Sequence, residues 1–279
     1  MSNSYKRILT IQDISCVGQC SLTVALPILS ACGLETAVLP SAVLSTHTAG
    51  FTGFTCRDLT DDMPAIAAHW QREGLRFAGI YTGYLGSTRQ VGIVEDIFRT
   101  AADAACVTVV DPAMADNGKL YPAFDQEYVE AMKGLCARAD YILPNLTEAC
   151  LLTDTPYTAV CDRRSIDALT EKLLALGCRN VVLTGVSFTP GKTGVLLRGA
   201  AGEAHYEHTL LANGCHGTGD IYASAFVGAL LRGKDAADAI RIAADYVLAC
   251  IGYTAELPDH WYGAAFEPLL PTLIRALEA

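Results

Sequence analysis

Residues 217–231 read Gly-Thr-Gly-Asp-Ile-Tyr-Ala-Ser-Ala-Phe-Val-Gly-Ala-Leu-Leu. Two glycines within three positions let the main chain turn tightly and bring its N–H groups close to a ligand. The apolar run from Ile221 to Leu231 reads as a buried helix. The N–H groups of the turn therefore sit at a helix N-terminus, where the dipole favours negative charge. An aspartate on such a cradle, Asp220, is a candidate general base beside a transferring phosphoryl group. Helix capping, with Thr218 as N-cap and Asp220 as a first-turn acid, accounts for the same four residues. The rest of the chain decides between the two.

Upstream of this stretch, short β-branched runs alternate with longer amphipathic ones. Strands are expected at 8–12, 35–39, 77–84, 107–111, 141–143 and 180–184, with a hairpin pair at 195–198 and 204–208. Helices are expected at 21–32, 58–73, 88–105, 125–138, 165–176, 217–231, 236–254 and 261–279. Strands spaced by helices of 10–15 residues predict βαβ units and a doubly wound, mostly parallel α/β sheet flanked by helices. No linker rich in Pro, Gly or Ser, no charge run and no internal repeat breaks the pattern, so residues 1–279 are expected to form a single domain.

Bulk composition agrees with that class. Hydrophobic residues make up 51% of the 279-residue chain, as fits parallel strands buried on both faces. No apolar run approaches the ~18 residues of a membrane helix, and residues 1–12 lack a signal-peptide core. A cytoplasmic protein without a membrane partner is expected. The net charge of −10 argues against a nucleic-acid groove, which needs a basic patch. It leaves nucleotide binding open, because a metal ion and main-chain donors can hold phosphates. The 11 cysteines are scattered, with no Cys-x-x-Cys pair, which reads as free thiols in a reducing compartment.

Ligands of doubly wound sheets bind at the carboxyl ends of the strands. Polar residues follow each expected strand: Gln12-Asp13, the loop 41–53, Thr82-Gly83-Tyr84-Leu85-Gly86, Asp111-Pro112, Pro144-Asn145-Leu146-Thr147-Glu148 and Thr184-Gly185. The loop at 41–53, carrying His47 and Thr48, is long enough for a lid or binding loop. Asp111 and Glu148 could converge on one hydrated Mg²⁺, which with nucleotide uses only one or two carboxylates. Alternatively, Asp111 is a turn acid before proline and Glu148 a first-turn helix acid.

Other signals are weak. Pro190-Gly191-Lys192-Thr193-Gly194 ends like a P-loop, but position 186 is valine and a strand follows, so a turn is expected. His205 and His208 point to opposite faces of a strand and are not expected to bind metal. His216 reads as a hydrogen-bonded loop histidine. No Gly-x-Gly-x-x-Gly follows the first strand and no Gly-x-Ser-x-Gly occurs, which disfavours a dinucleotide dehydrogenase and a serine hydrolase.

Gly217-Thr218-Gly219-Asp220 before an apolar helix, with Asp111-Pro112 and Asn145-Leu146-Thr147-Glu148 upstream, resembles the ribokinase-like superfamily. Ile11-Gln12, Leu44-Ser45-Thr46-His47-Thr48 and Thr82-Gly83-Tyr84-Leu85-Gly86 narrow the resemblance to the pyridoxal (vitamin B6) kinases. The likeness runs from Arg7 to Leu231. It implies a three-layer αβα fold and ATP-dependent phosphorylation of the 5′-hydroxymethyl of pyridoxal, pyridoxine or pyridoxamine. It implies that Asp220 takes the hydroxyl proton, and that Gly217, Thr218 and Gly219 form an anion hole for the transferring phosphate. Asp13, His47, Thr48 and Tyr84 would line the vitamer pocket. Asp111 and Glu148 would hold Mg²⁺ directly or through water, Asn145 and Thr184 would lie along the ATP phosphates, and Tyr121 would cover ATP. The resemblance further implies a homodimer and a monovalent cation such as K⁺ at the nucleotide site.

Two departures stand out. Relatives carry serine where this chain has Asp13, and glycine in the loop that here reads Ala113-Met114-Ala115. An ionised Asp13 would favour a cationic vitamer, a charge-assisted bond being worth about 1.5–3 kcal/mol; bonding to nearby main-chain N–H groups is the alternative. Two other functions share these features: a hydroxymethylpyrimidine kinase of the same superfamily, and a non-catalytic vitamer-binding protein on the same fold. Cys215, beside the expected anion hole, is the thiol to test for reactivity.

Overall fold

The structure is a computed structural model and describes residues 5–159, 162–211 and 214–279. Its strands are β1 (Arg7–Ser15), β2 (Glu35–Leu44), β3 (Cys56–Asp58), β4 (Phe77–Thr82), β5 (Ala102–Val110), β6 (Ala115–Asp116), β7 (Lys119–Leu120), β8 (Tyr141–Ile142), β9 (Asn180–Thr184), β10 (Lys192–Gly199) and β11 (Gly202–Thr209). Its helices are α1 (Leu22–Ala31), α2 (Met63–Arg72), α3 (Thr88–Ala101), α4 (Gln126–Cys136), α5 (Leu146–Leu152), α6 (Arg163–Ala175), α7 (Thr218–Leu231), α8 (Ala236–Thr254) and α9 (Leu270–Glu278). Ser87, Asp125, Asp162 and Asp235 start α3, α4, α6 and α8, each accepting a main-chain N–H from the first turn.

One sheet of nine strands runs β11-β10-β9-β8-β5-β4-β1-β2-β3, and β6 and β7 form a separate small hairpin. The strands from β2 to β9 along this order pair in parallel, while β3, β10 and β11 pair antiparallel. Apolar side chains cover both faces. Val24, Ile28, Phe226, Ile240 and Leu273 pack on one face, bringing α1, α7, α8 and α9 against it. Met63, Val94, Met132, Cys150 and Leu169 pack on the other, with α2 to α6. The doubly wound, three-layer reading therefore holds.

From β1 the chain goes to β2 on one side and returns to β4 on the other, so the strand order reverses at β1. Such a reversal opens a crevice at the strand carboxyl ends. There the β1–β2 register slips: Gln12 pairs with Pro40, but Ile14 with Val43. The extra residue on β2 bends the pair opposite Asp13, as bulges beside binding sites do.

The structure corrects several expected boundaries. Asp13 lies within β1 rather than after it. The helix expected from Asp58 starts at Met63, and β3 takes Cys56–Asp58. The helix expected to reach Ala105 stops at Ala101, and β5 begins at Ala102. Trp261–Phe266 is not helical; a single 3₁₀ turn at Glu267–Leu269 precedes α9. α5, β6 and β7 were not among the expected elements. No disulfide forms among the described cysteines, and Cys161 lies outside the described residues. No helix of the described residues is long and apolar enough to cross a membrane.

Candidate active site

The N-cap of α7 is Gly217, not Thr218. Gly217 adopts φ 77°, a left-handed conformation that favours glycine, and a Cβ there would lie 1.7 Å from the Gln19 carbonyl oxygen. Thr218 is the first helical residue, and its hydroxyl donates to the Cys215 carbonyl at 3.4 Å. The first intrahelical acceptor is the Gly217 carbonyl, which takes the Ile221 N–H at 3.0 Å. The N–H groups of Thr218, Gly219 and Asp220 thus have no intrahelical partner and sit at the positive end of α7. Around Gly219 a Cβ would meet nothing within 4 Å, so the cradle is open on that side.

Asp220 occupies the first turn of α7, half-buried. Burial pushes its carboxyl up to about 7, the Asp13 charge pushes the same way, and the Ser21 main-chain N–H opposes both. A carboxylate in that range suits proton abstraction at neutral pH. Ser21 holds φ 54°, rare for a non-glycine residue, and it precedes α1 at the carboxyl end of β1. Strained main chain of this kind clusters at functional sites.

Asp13 is 5% exposed. The Ser15 hydroxyl donates to its Oδ2 at 3.1 Å, and the Ser21 hydroxyl is a second donor. Desolvation nevertheless raises its carboxyl above the usual range, with His47 opposing. Its hydrogen-bond donors are thus these two hydroxyls and a main-chain N–H, that of Asp13 itself. Tyr84 stands beside it: burial, then the Asp13 charge, pushes the phenol up to about 12. The Tyr84 ring lies 5.3 Å from Phe124, which stacks on Tyr128 at 3.8 Å, giving this end of the crevice an aromatic wall.

His47 is differently employed from its expected pocket-lining role. Its Nδ1 accepts the Ala49 N–H at 3.2 Å, so its Nε2–H donates to the Tyr262 carbonyl at 2.7 Å. Both ring nitrogens are thereby committed to main chain and only ring carbon remains for a ligand. Thr48 is exposed on the same loop.

On the other side of Asp220 stands Asp111. Its Oδ1 accepts the Ala113 N–H at 3.1 Å, and Ala113 takes φ 40° to close that turn. Burial first, then Glu148 and Asp220, raise the Asp111 carboxyl well above the carboxylate range. Glu148 lies next to Asp111. It is 2% exposed, and its Oε1 accepts Met114 N–H at 3.0 Å and Ala115 N–H at 3.4 Å. Its Oε2 accepts Asn145 N–H at 2.9 Å, while Asn145 Oδ1 accepts Glu148 N–H at 3.0 Å, a capping box at the start of α5. Glu148 thus accepts main-chain N–H groups with both of its oxygens. It fixes the loop behind Asp111, and burial raises its carboxyl to about 7.

Asn145 Nδ2 donates to the Ala115 carbonyl at 2.8 Å, so the Asn145 amide serves the same loop. Thr184 is bridged to Asn145 where β8 and β9 end. Burial first, then the charges of Glu148, Asp111, Asp116 and Asp220, raise the Tyr121 phenol, so Tyr121 stands near these acids. Cys215 lines a separate pocket of about 210 Å³ with Gly214, Thr254, His260 and Trp261. Desolvation raises its thiol, which lowers its thiolate fraction and argues against special reactivity.

Five of the expected residues interact pairwise in a row: Tyr84 with Asp13, Asp13 with Asp220, Asp220 with Asp111, and Asp111 with Glu148. Sequence reasoning missed Ser21, Gln19 and the 262–264 segment that border it. The glycines at 18 and 263 were the available signals. Among the described residues, none of the four acids pairs with a lysine or arginine; burial and neighbouring acids raise them instead.

The chain is similar to several known proteins over most of its length. Residues 29–264 match the phosphomethylpyrimidine kinase family profile. A Bacteroides thetaiotaomicron protein assigned as a phosphomethylpyrimidine kinase is 37% identical, superposes with a TM-score of 0.93, and covers 98% of this chain and 95% of its own. A second crystal form of that protein contains pyridoxal and superposes with a TM-score of 0.90. Pyridoxal kinase of Lactobacillus plantarum is 33% identical with a TM-score of 0.91, covering 99% of both chains. The pyridoxine/pyridoxal/pyridoxamine kinase of Bordetella avium is 26% identical over 263 residues, 88% of this chain and 85% of that protein. With a profile match over most of its length and a mostly parallel nine-stranded sheet that superposes on these relatives, the chain belongs to the phosphomethylpyrimidine kinase family.

Proposed function

We propose that the protein is a pyridoxal kinase that transfers the γ-phosphoryl group of ATP to the 5′-hydroxymethyl of pyridoxal, pyridoxine or pyridoxamine. The observation that carries this reading is Asp220: a carboxylate near neutrality, on an open N–H cradle, between an aromatic-walled acidic pocket and a second carboxylate. The names of its relatives support the same substrates.

In this reading the vitamer ring lies toward Asp13 and Tyr84, and its alcohol faces Asp220. Asp220 takes the hydroxyl proton as the alcohol oxygen bonds to the γ-phosphorus and the bond to ADP breaks. The N–H groups of Thr218, Gly219 and Asp220 receive the developing phosphoryl charge, and Gly217 supplies the turn that aims them. Asn145, Glu148 and Thr184 shape the strand ends beside the nucleotide, and Tyr121 covers it.

Asp111 fits a Mg²⁺ site: it is not fully enclosed, and only its Oδ1 is engaged, by Ala113. One carboxylate plus phosphate oxygens and water is an ordinary Mg²⁺ environment. Bound there, Mg²⁺ would neutralise phosphate charge. K⁺ support of the nucleotide site, a cytoplasmic setting, a single domain and a homodimer complete the proposal. Salt substitution in the assay and light scattering of the purified protein check the first and the last.

A coupled ADP-release assay across pyridoxal, pyridoxine, pyridoxamine and hydroxymethylpyrimidine tests the reading. Turnover of a B6 vitamer supports it, and ATP-dependent turnover of none refutes it. The family profile favours a second reading, hydroxymethylpyrimidine kinase, which shares the phosphate machinery. Turnover of the pyrimidine alone would select it. Binding without turnover would select a non-catalytic vitamer binder.

A further inference from the structure

Three loops of the crevice meet on one short segment of the C-terminal region. The Tyr262 carbonyl accepts both the His47 Nε2–H at 2.7 Å and the Gln19 N–H at 3.3 Å. Two residues on, the Ala264 N–H donates to the His216 carbonyl at 3.0 Å, immediately before the cradle. Gly263, at φ 148°, packs so closely that a Cβ would lie 2.5 Å from Gln19 Cβ and 2.9 Å from its nitrogen. Gln19 in turn presses its carbonyl on Gly217 and donates its Nε2–H to Glu267 Oε1 at 2.6 Å. Trp261 lies on the vitamer-side loop, its ring 4.7 Å from Phe51 and against Gly50, where a Cβ would meet it at 2.8 Å.

These contacts form an unbroken line from the loop that carries His47, Gly50 and Phe51, through Trp261, Tyr262 and Gln19, to Gly217. A displacement of the loop cannot leave the cradle unmoved unless one of these contacts breaks, because packed main chain transmits strain. We propose that residues 261–264 act as a strap that positions the phosphate cradle from the vitamer-side loop, so that the two ligands bind cooperatively. Trp261 and Gly263 are then positioning residues for phosphoryl transfer. The inference rests on the kinase reading above.

The test is calorimetric. Pyridoxine is titrated into the full chain with and without the non-hydrolysable ATP analogue AMP-PCP and Mg²⁺. Each site ordinarily shifts its partner's affinity by about 5–150-fold where coupling exists, and a factor of at least about fivefold is expected here. Trp261 is 54% exposed, so Trp261→Ala is expected to fold. It should reduce the coupling to less than about twofold while each ligand alone binds within about threefold of wild type. Trp261→Phe, which keeps a ring on Gly50, should retain the coupling. A purely structural role for Trp261 would lower thermal stability and leave the coupling factor where it was. Coupling that survives Trp261→Ala, or its absence from the wild type with both ligands binding, overturns the strap alone. Failure of either ligand to bind the wild type overturns the functional reading and the strap with it.

Discussion

Asn145 and Glu148 hold one another at the start of α5, the glutamate Oε2 taking the asparagine N–H at 2.9 Å and the asparagine Oδ1 returning the contact at 3.0 Å. The other glutamate oxygen reaches across to Met114 and Ala115, so one buried carboxylate joins the loop after Asp111 to the helix after β8. Of the Asp111 carboxylate, only Oδ1 accepts a hydrogen bond among the described residues.

Asp111→Asn and Glu148→Gln should therefore fail differently. Asp111→Asn is expected to raise the Mg²⁺ needed for half-maximal rate by about tenfold or more, the loss of one charge-assisted contact, with little change in melting temperature. Glu148→Gln leaves main-chain donors buried without an acceptor and should cost about 1–3 kcal/mol of stability. Mg²⁺ titrations and thermal melts of both variants check this. A normal melt for Glu148→Gln would contradict its structural role.

Asp220 carries the pH dependence. Its carboxyl titrates near 7 and must be ionised to accept a proton, so kcat/KM should rise as pH increases from about 6 to 8 and then level. Asp220→Asn should lower kcat by about 10²–10⁴ and abolish that limb, while vitamer and nucleotide still bind. Rate profiles at saturating and limiting vitamer measure both. A variant with full turnover would remove Asp220 from the role of base.

Asp13 acts on the base and on the substrate together. Asp13→Ser removes a neighbouring negative charge, so Asp220 should ionise more easily and the rising limb move to lower pH. If ionised Asp13 recognises a protonated ring or aminomethyl group, the same change should reduce the pyridoxamine-to-pyridoxal ratio of kcat/KM by roughly tenfold or more, the equivalent of about 1.5–3 kcal/mol. An unchanged ratio with a shifted limb would separate the two effects and leave Asp13 only its electrostatic one.

The two glycines of the cradle should differ sharply. At Gly217 a side chain meets the Gln19 carbonyl and an unfavourable φ, so Gly217→Ala should destabilise the fold by about 1–3 kcal/mol or more. At Gly219 a Cβ enters open space, so Gly219→Ala should fold normally but crowd the phosphoryl group and reduce kcat. Thermal melts paired with turnover of the two variants decide it. Equal melting temperatures would mean that the Gln19 backing is not needed.

Legibility in the sequence followed the range of the interactions. β9 at Asn180–Thr184 and α8 at Ala236–Thr254 were read at their observed bounds, because a β-branched run, the cap at Asp235 and a long apolar periodicity are local signals. The alanine-rich residues 101–105 favour helix locally, yet Ala102 pairs with Phe77 of β4 and the sheet prevails. β3 holds only three residues on an edge, too few to show a period. The segment at 261–266 was read as helix because nothing local reveals that its main-chain groups serve His47, Gln19 and His216. In the site, the positions of Asp111 and Asp220 followed from their places after a strand and before a helix. The employment of Glu148 did not, since its partners Met114 and Ala115 stand 34 and 33 residues away.

The row of carboxylates, without a lysine or arginine partner among the described residues, gives the crevice groups that can take up and release protons. Burial raises both the Asp220 and the Glu148 carboxyl toward neutrality. A dication settling beside Asp111 would draw these groups toward their ionised forms, and the displaced hydrogen ions must pass to the medium. The heat of loading the site would then track the ionisation enthalpy of the buffer, and acidification would loosen the grip on nucleotide even where the fold is intact.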